Sequence, residues 1–165
     1  MTPAERQEAS NAIVAHIVAS THYRQAKTVT AYASMRAEVS LDGLWPAPSH
    51  MLLLPRVDGQ DLRWHPTTTL PVATSTYGIR EPAVDSPEHT GPVDLWLLPA
   101  VGMDERGFRL GQGGGFYDRT LAGKPGLRVA VVFECQRVDL VPTEPHDQSV
   151  HAVVTEAGWW FAPQE

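Results

Sequence analysis

The chain holds a single cysteine, Cys135. No intramolecular disulfide is therefore available, and a reducing compartment suits the composition. Cys135 stands beside the apolar run 129–133, which predicts packing at a strand end rather than nucleophilic chemistry. Lysine is almost as scarce, two against eleven arginines, and the formal net charge is −6. That balance excludes a broadly basic surface, and with it long nucleic acids as partners. It leaves arginine to build any local anion site. No apolar stretch approaches the ~20 residues of a membrane span, and the first residues carry no signal-peptide pattern. These absences predict a cytoplasmic chain with no membrane partner. No internal repeat or domain boundary interrupts the 165 residues, so one domain spanning 1–165 is expected.

Glycine, by contrast, is concentrated. Gly111, Gly113, Gly114 and Gly115 occupy four of five positions, directly ahead of Phe116, Tyr117 and Asp118. Glycine costs backbone entropy, and such density suits a loop needing positive φ or close backbone approach. Successive N–H groups in such a loop form an anion-binding concavity, and a helix starting behind it adds partial positive charge. Arg109 and Arg119 supply full charges, and Asp118 is a hard oxygen ligand for a metal carried on a phosphate. The alternative is a plain glycine turn between strand and helix; the arginines, aromatics and aspartate favour a phosphate site. No lysine follows the glycines, which excludes a P-loop. The loop's position two-thirds along the chain argues against a dinucleotide fingerprint.

The remaining pattern is α/β. Thr2-Pro3-Ala4-Glu5 is a capping box with proline at the first helical position. Ala9, Ala12, Ile13, His16, Ile17 and Ser20 follow on one helical face. Residues 28–33 alternate as a strand, and 51–54, 95–98, 129–133 and 152–154 are short apolar runs. Such runs fit strands buried on both faces of a largely parallel sheet with helices on both sides. A weaker strand is expected at 62–64, after Asp58-Gly59. Pro46 and Pro48 stop any helix starting at Leu41. Residues 65–94, rich in proline and threonine, predict a long ordered loop that walls a pocket.

Read in order, these pieces resemble the 5-formyltetrahydrofolate cyclo-ligase (methenyltetrahydrofolate synthetase) family. Arg109-Leu-Gly-Gln-Gly-Gly-Gly-Phe-Tyr-Asp118 is similar to that family's glycine signature. Met35-Arg-Ala-Glu38-Val39, Leu54-Pro-Arg-Val57, Gly78-Ile79-Arg80-Glu81-Pro82, His146-Asp147 and Val154-Thr155-Glu156 corroborate it in the family's order. The resemblance implies a three-layer α/β/α sandwich. It also implies an enzyme that uses ATP and magnesium to close 5-formyltetrahydrofolate into 5,10-methenyltetrahydrofolate, as a monomer or small homo-oligomer. By the same resemblance Ala33, Met35 and Glu38 would contact the reduced folate, joined by Gln112, Gly113, Gly114, Gly115 and Phe116. Arg109, Gly111, Gln112, Gly113, Gly114, Gly115 and Tyr117 would hold the nucleotide, with Arg109 and Tyr117 nearest the chemistry. Phe116 and Tyr117 serve equally well as core aromatics at a helix start.

Asp118 and position 151 would bind the metal, yet His151 stands where the family carries aspartate. Magnesium prefers oxygen, so imidazole is a poor replacement. Losing a unit charge there costs on the order of a few kcal/mol at an effective dielectric near 20. His146, Asp147 and His151 together make a weaker candidate transition-metal set. The chain also begins at the Thr2 cap, without the family's basic N-terminal segment. Three readings follow: an ATP-dependent cyclo-ligase, a reduced-folate-binding homologue that does not use ATP, or a nucleotide- or phosphate-binding module without the folate site, against which the segment Met35 to Val39 argues. The second would bind only, or would cyclise a derivative such as 5-formiminotetrahydrofolate.

Overall fold

The computed structural model describes residues 1–35, 37–71, 79–111 and 115–164. Helix α1 (Pro3–Ala19) starts on the expected capping box. The Thr2 side chain accepts from the Glu5 N–H at 3.1 Å, and the Glu5 carboxylate accepts from the Thr2 N–H at 2.7 Å. Ile13 and Ile17 lie fully buried on its inner face, contributing roughly 1.5–3 kcal/mol each. His16, at the margin of that face, bonds the Glu156 carbonyl through Nε2 at 3.2 Å. A short helix α2 (Thr21–Gln25) turns the chain into the sheet.

The strands are β1 (Thr28–Thr30), β2 (Met51–Asp58), β3 (Asp61–Pro66), β4 (Leu95–Pro99), β5 (Gly102–Met103), β6 (Arg109–Leu110), β7 (Leu127–Val131), β8 (Ala152–Thr155) and β9 (Gly158–Phe161). Seven of them form one sheet in the order β3-β2-β1-β4-β7-β8-β9. The five central strands are parallel, and β3 and β9 close the edges as antiparallel hairpin partners. Side chains alternate between two apolar layers. Leu52, Leu54, Leu95, Leu97, Val129 and Val131 face α1. Leu53, Trp96, Leu98, Ala130 and Val153 face the other side, with Leu121 of α3 (Phe116–Leu121). The result is the expected α/β/α sandwich with a thin second helical layer. No helix among the described residues is long and apolar enough to cross a membrane.

All six expected strands fall on observed ones, with shifted ends. β1 stops at Thr30, although the Ala31 N–H still donates to the Leu53 carbonyl at 2.8 Å. The next residues leave the sheet to wall a cavity. Beyond β7 the chain enters a 3₁₀ turn, Glu134–Gln136, which carries Cys135. That cysteine is exposed, its Sγ 3.7 Å from the Met1 Sδ. It therefore has no buried strand-end packing role, because β7 ends four residues before it.

The strand order places the ligand end of the sheet. β1 leads the chain outward to β2 and β3, which then returns across to β4 on the other flank of β1. The carboxyl ends of β1 and β4 thus diverge at a topological switch point, where open α/β sheets form a crevice.

Candidate active site

A cavity of about 850 Å³ opens at that switch point. Tyr32, Ala33, Met35 and Glu38, following β1, form one wall. Pro99 and Ala100, following β4, and Arg109, Gly111, Gly115, Phe116, Tyr117 and Asp118 line it as well. The loop expected to wall a pocket supplies Ile79, Arg80 and Glu81, and the segment before β8 supplies His146 and Asp147. The Arg80 guanidinium clamps its loop to Asp42 through paired bonds of 2.8 and 3.2 Å. Gln112, Gly113 and Gly114, expected in both substrate and nucleotide sites, lie outside the described residues, as does Gly78.

Arg109 reaches the cavity on a small hairpin. β5 and β6 pair antiparallel, and the turn between them is organised by Asp104, a carboxylate only 1 % exposed. Its two oxygens accept from the backbone N–H groups of Arg106, Phe108 and Val141 and from the Arg106 guanidinium, at 2.8–3.2 Å. Burial alone would raise this carboxyl, but the Val141 N–H, Arg106 and the Phe108 N–H hold it below the usual range. Asp104 escaped the sequence reading. Its only trace was an Asp-Glu-Arg-Gly turn, which says nothing of the Val141 partner thirty-seven residues on.

The Arg109 guanidinium lies 5.0 Å over the Tyr117 ring and donates to the Pro99 carbonyl at 3.2 Å. Its Nε is buried without a hydrogen-bond partner among the described residues. Burial lowers its pKa, with Asp118, Tyr117 and Asp147 pulling the other way. A cation so placed is stabilised by an arriving anion. Burial likewise pushes the Tyr117 phenol well above its ordinary value. In the same cavity, the Glu38 carboxylate accepts from the Met35 N–H at 2.9 Å. Burial raises its pKa against that bond.

Gly115 caps α3 in the left-handed region at φ +67°, a conformation glycine adopts without strain. α3 has six residues, so its dipole adds little, and Arg109 carries most of the positive charge. Arg119 does not join it. Its guanidinium donates to the Gln60 carbonyl, lies 5.1 Å over the Phe116 ring and lines no part of this cavity.

The expected metal pair separates. Asp118 lines the cavity, its Oδ1 accepting from the Gln148 N–H at 3.1 Å. His151 does not line it. It precedes β8, level with Arg128 near the start of β7, and its Nδ1 accepts from the Arg128 N–H at 2.9 Å. The cavity lies past the other end of these strands, roughly 10 Å further at the rise of a β-strand. Glu38, Glu81, Glu144 and Asp147 line the cavity with Asp118, and Asp147 is the one the chain ties to it. It stands next to Gln148, whose N–H bonds Asp118. The proposed His146, Asp147 and His151 set is divided by the same geometry, and no cluster of three metal-ligating side chains occurs among the described residues.

Comparison with known proteins bears on this arrangement. Residues 1–156 match the model of the 5-formyltetrahydrofolate cyclo-ligase family. The chain belongs to that family. The 5-formyltetrahydrofolate cyclo-ligase of Haemophilus influenzae is 32 % identical, over 89 % of this chain and 85 % of that protein. The Escherichia coli protein of the same name is 30 % identical, over 97 % and 94 %. The NMR structure of Aquifex aeolicus 5,10-methenyltetrahydrofolate synthetase superimposes with a TM-score of 0.87 at 28 % identity. It covers all of this chain and 87 % of that one. A synthetase from Mycoplasma pneumoniae shares the fold, with a TM-score of 0.75 at 18 % identity. The family's fold therefore holds here from α1 to β9.

Proposed function

We propose that this chain is an ATP-dependent 5-formyltetrahydrofolate cyclo-ligase, producing 5,10-methenyltetrahydrofolate, ADP and phosphate. The observation that carries the reading is one cavity lined by Glu38 together with Arg109, Gly115 and Asp118. The folate motif and the nucleotide motif, some seventy residues apart in sequence, face one space.

The chemistry needs that adjacency. A formamide oxygen leaves poorly, so it first attacks the γ-phosphorus of ATP and ADP departs. The N10 lone pair then attacks the activated formyl carbon and N10 gives up its proton. The C–O bond breaks, phosphate leaves, and the five-membered ring is closed. Alignment and neutralisation of phosphate charge dominate such a transfer. Arg109 would meet the phosphates from the cavity wall, relieving the cost of its buried guanidinium. Ala33, Met35, Glu38 and Phe116 would hold the reduced pterin, and Gly111, Gly115 and Tyr117 the nucleotide side.

Magnesium fits the site. Asp118 and Asp147 offer two hard carboxylates beside Arg109, and the ion needs only one or two when phosphates and waters complete its shell. Bound there, it would offset phosphate charge. This assignment moves the second ligand from His151 to Asp147. It also removes the objection to ATP use that imidazole at position 151 raised.

An absorbance assay for methenyltetrahydrofolate tests the reading. Turnover of 5-formyltetrahydrofolate that requires MgATP is the expected result. Cyclisation that proceeds equally without MgATP would overturn it in favour of the ATP-independent homologue.

A further inference from the structure

Tyr32 is 3 % exposed and lines the cavity. Its hydroxyl is buried and meets no hydrogen-bond partner among the described residues. Leaving a buried hydroxyl unsatisfied costs about 1–3 kcal/mol, and native proteins leave few. Phenylalanine would fill the same space without that cost. Met35, three residues on, directs its N–H to Oε2 of Glu38, an acceptor that also lines the cavity. Burial, and then the charge of Glu38 and the neighbouring Tyr117, keep the Tyr32 phenol protonated. It is therefore a donor, carried by a residue that lines the cavity. Ala33, Pro55, Val57 and Ile79 give the same cavity apolar lining.

We propose that Tyr32 is a substrate-binding residue whose hydroxyl donates a hydrogen bond to a ring carbonyl of the reduced pterin. The proposal rests on the folate reading above. A pterin edge presents N–H groups beside a carbonyl. Glu38 accepts and Tyr32 donates, so the two offer the complementary pair from one wall. The formyl oxygen is the wrong partner, because it must remain free to attack phosphorus. The free protein holds the hydroxyl unsatisfied, and the pterin satisfies it.

The test compares wild type with Tyr32→Phe in three measurements on the full chain: thermal melting, calorimetric binding of 5-formyltetrahydrofolate and of tetrahydrofolate, and steady-state kinetics. The variant is expected to melt at or above the wild-type temperature. It should bind both folates about tenfold more weakly, the worth of one hydrogen bond. Its KM for 5-formyltetrahydrofolate should rise while its KM for ATP stays unchanged. Unchanged affinity for both folates would overturn the proposal, whatever the melting temperature. A loss confined to 5-formyltetrahydrofolate would overturn the ring-carbonyl assignment. Wild-type protein that binds neither folate would instead sink the folate reading on which the proposal stands.

Discussion

At the scale of single residues, the cavity holds buried ionisable groups whose cost a bound ligand would relieve. Glu38 is the clearest case, because burial raises its carboxyl and one backbone N–H only partly compensates. A raised carboxyl binds its proton more tightly folded than unfolded. Its contribution to stability is therefore full below the unfolded value, about 4.3, and is lost as pH rises through the folded one. Near neutrality the ionised group weakens the fold. Glu38→Gln keeps an oxygen for the Met35 N–H and removes the charge. It should leave the melting temperature at pH 7 equal or higher, while weakening reduced-folate binding about tenfold, the scale of a lost charge-assisted hydrogen bond. Calorimetry and a melting curve on the same sample check both parts. Unchanged folate affinity would remove Glu38 from the substrate site.

Elements decide whether these side chains converge, and here the sequence was legible unevenly. α1 could be read to its first residue, because a capping box and helical spacing are local signals. The parallel strands could be read as buried apolar runs. Met35, Glu38, Arg109 and Asp118 were singled out by their motifs, and all reach one cavity. What the sequence hid was non-local. β5 and β6 span two residues each, too short for periodicity, and they are held by Asp104 through a partner on another loop. His151 looked like a ligand because a motif aligns positions, whereas a strand's direction decides which end of the sheet they reach.

The hairpin also yields a prediction. Asp104→Asn replaces one accepting oxygen with an N–H₂ group facing donors and removes the charge that Arg106 meets. With the Val141 N–H buried, the loss should be about 2–3 kcal/mol of unfolding free energy, read from denaturant midpoints. Because the same hairpin carries Arg109, KM for ATP should rise with it. A second, smaller effect is expected at Gly115→Ala. The left-handed φ disfavours any Cβ, and the added methyl would stand 2.8 Å from the Arg119 Nη1. The strain should cost about 1 kcal/mol. Denaturation at an unchanged midpoint would show that the loop relaxes without penalty.

For the whole molecule, the two ends of the sheet have different work to do. The carboxyl ends of β1 and β4 carry the candidate chemistry, while the far end is tied together by structure alone. His151 belongs to that far end. Its Nδ1 accepts from the Arg128 N–H, and its own N–H donates to the Arg128 carbonyl at 2.9 Å, so it joins β7 to β8 as an extra rung. An accepting Nδ1 cannot carry a proton. Burial and then the Arg128 charge lower its pKa, keeping the ring neutral. With the folded value depressed, the unfolded chain binds the proton more readily. The contribution is thus present above the unfolded value, about 6.5, and is lost as pH falls through the folded one. Urea unfolding should therefore show stability declining as pH drops from 7.5 toward 5.5. His151→Asn, whose side-chain oxygen can stand in for Nδ1 without titrating, should flatten that decline. It should also leave the magnesium dependence of turnover unchanged, because the residue is remote from Asp118 and Asp147. If the variant instead raised the magnesium concentration needed for half-maximal rate, position 151 would have to be returned to the metal site.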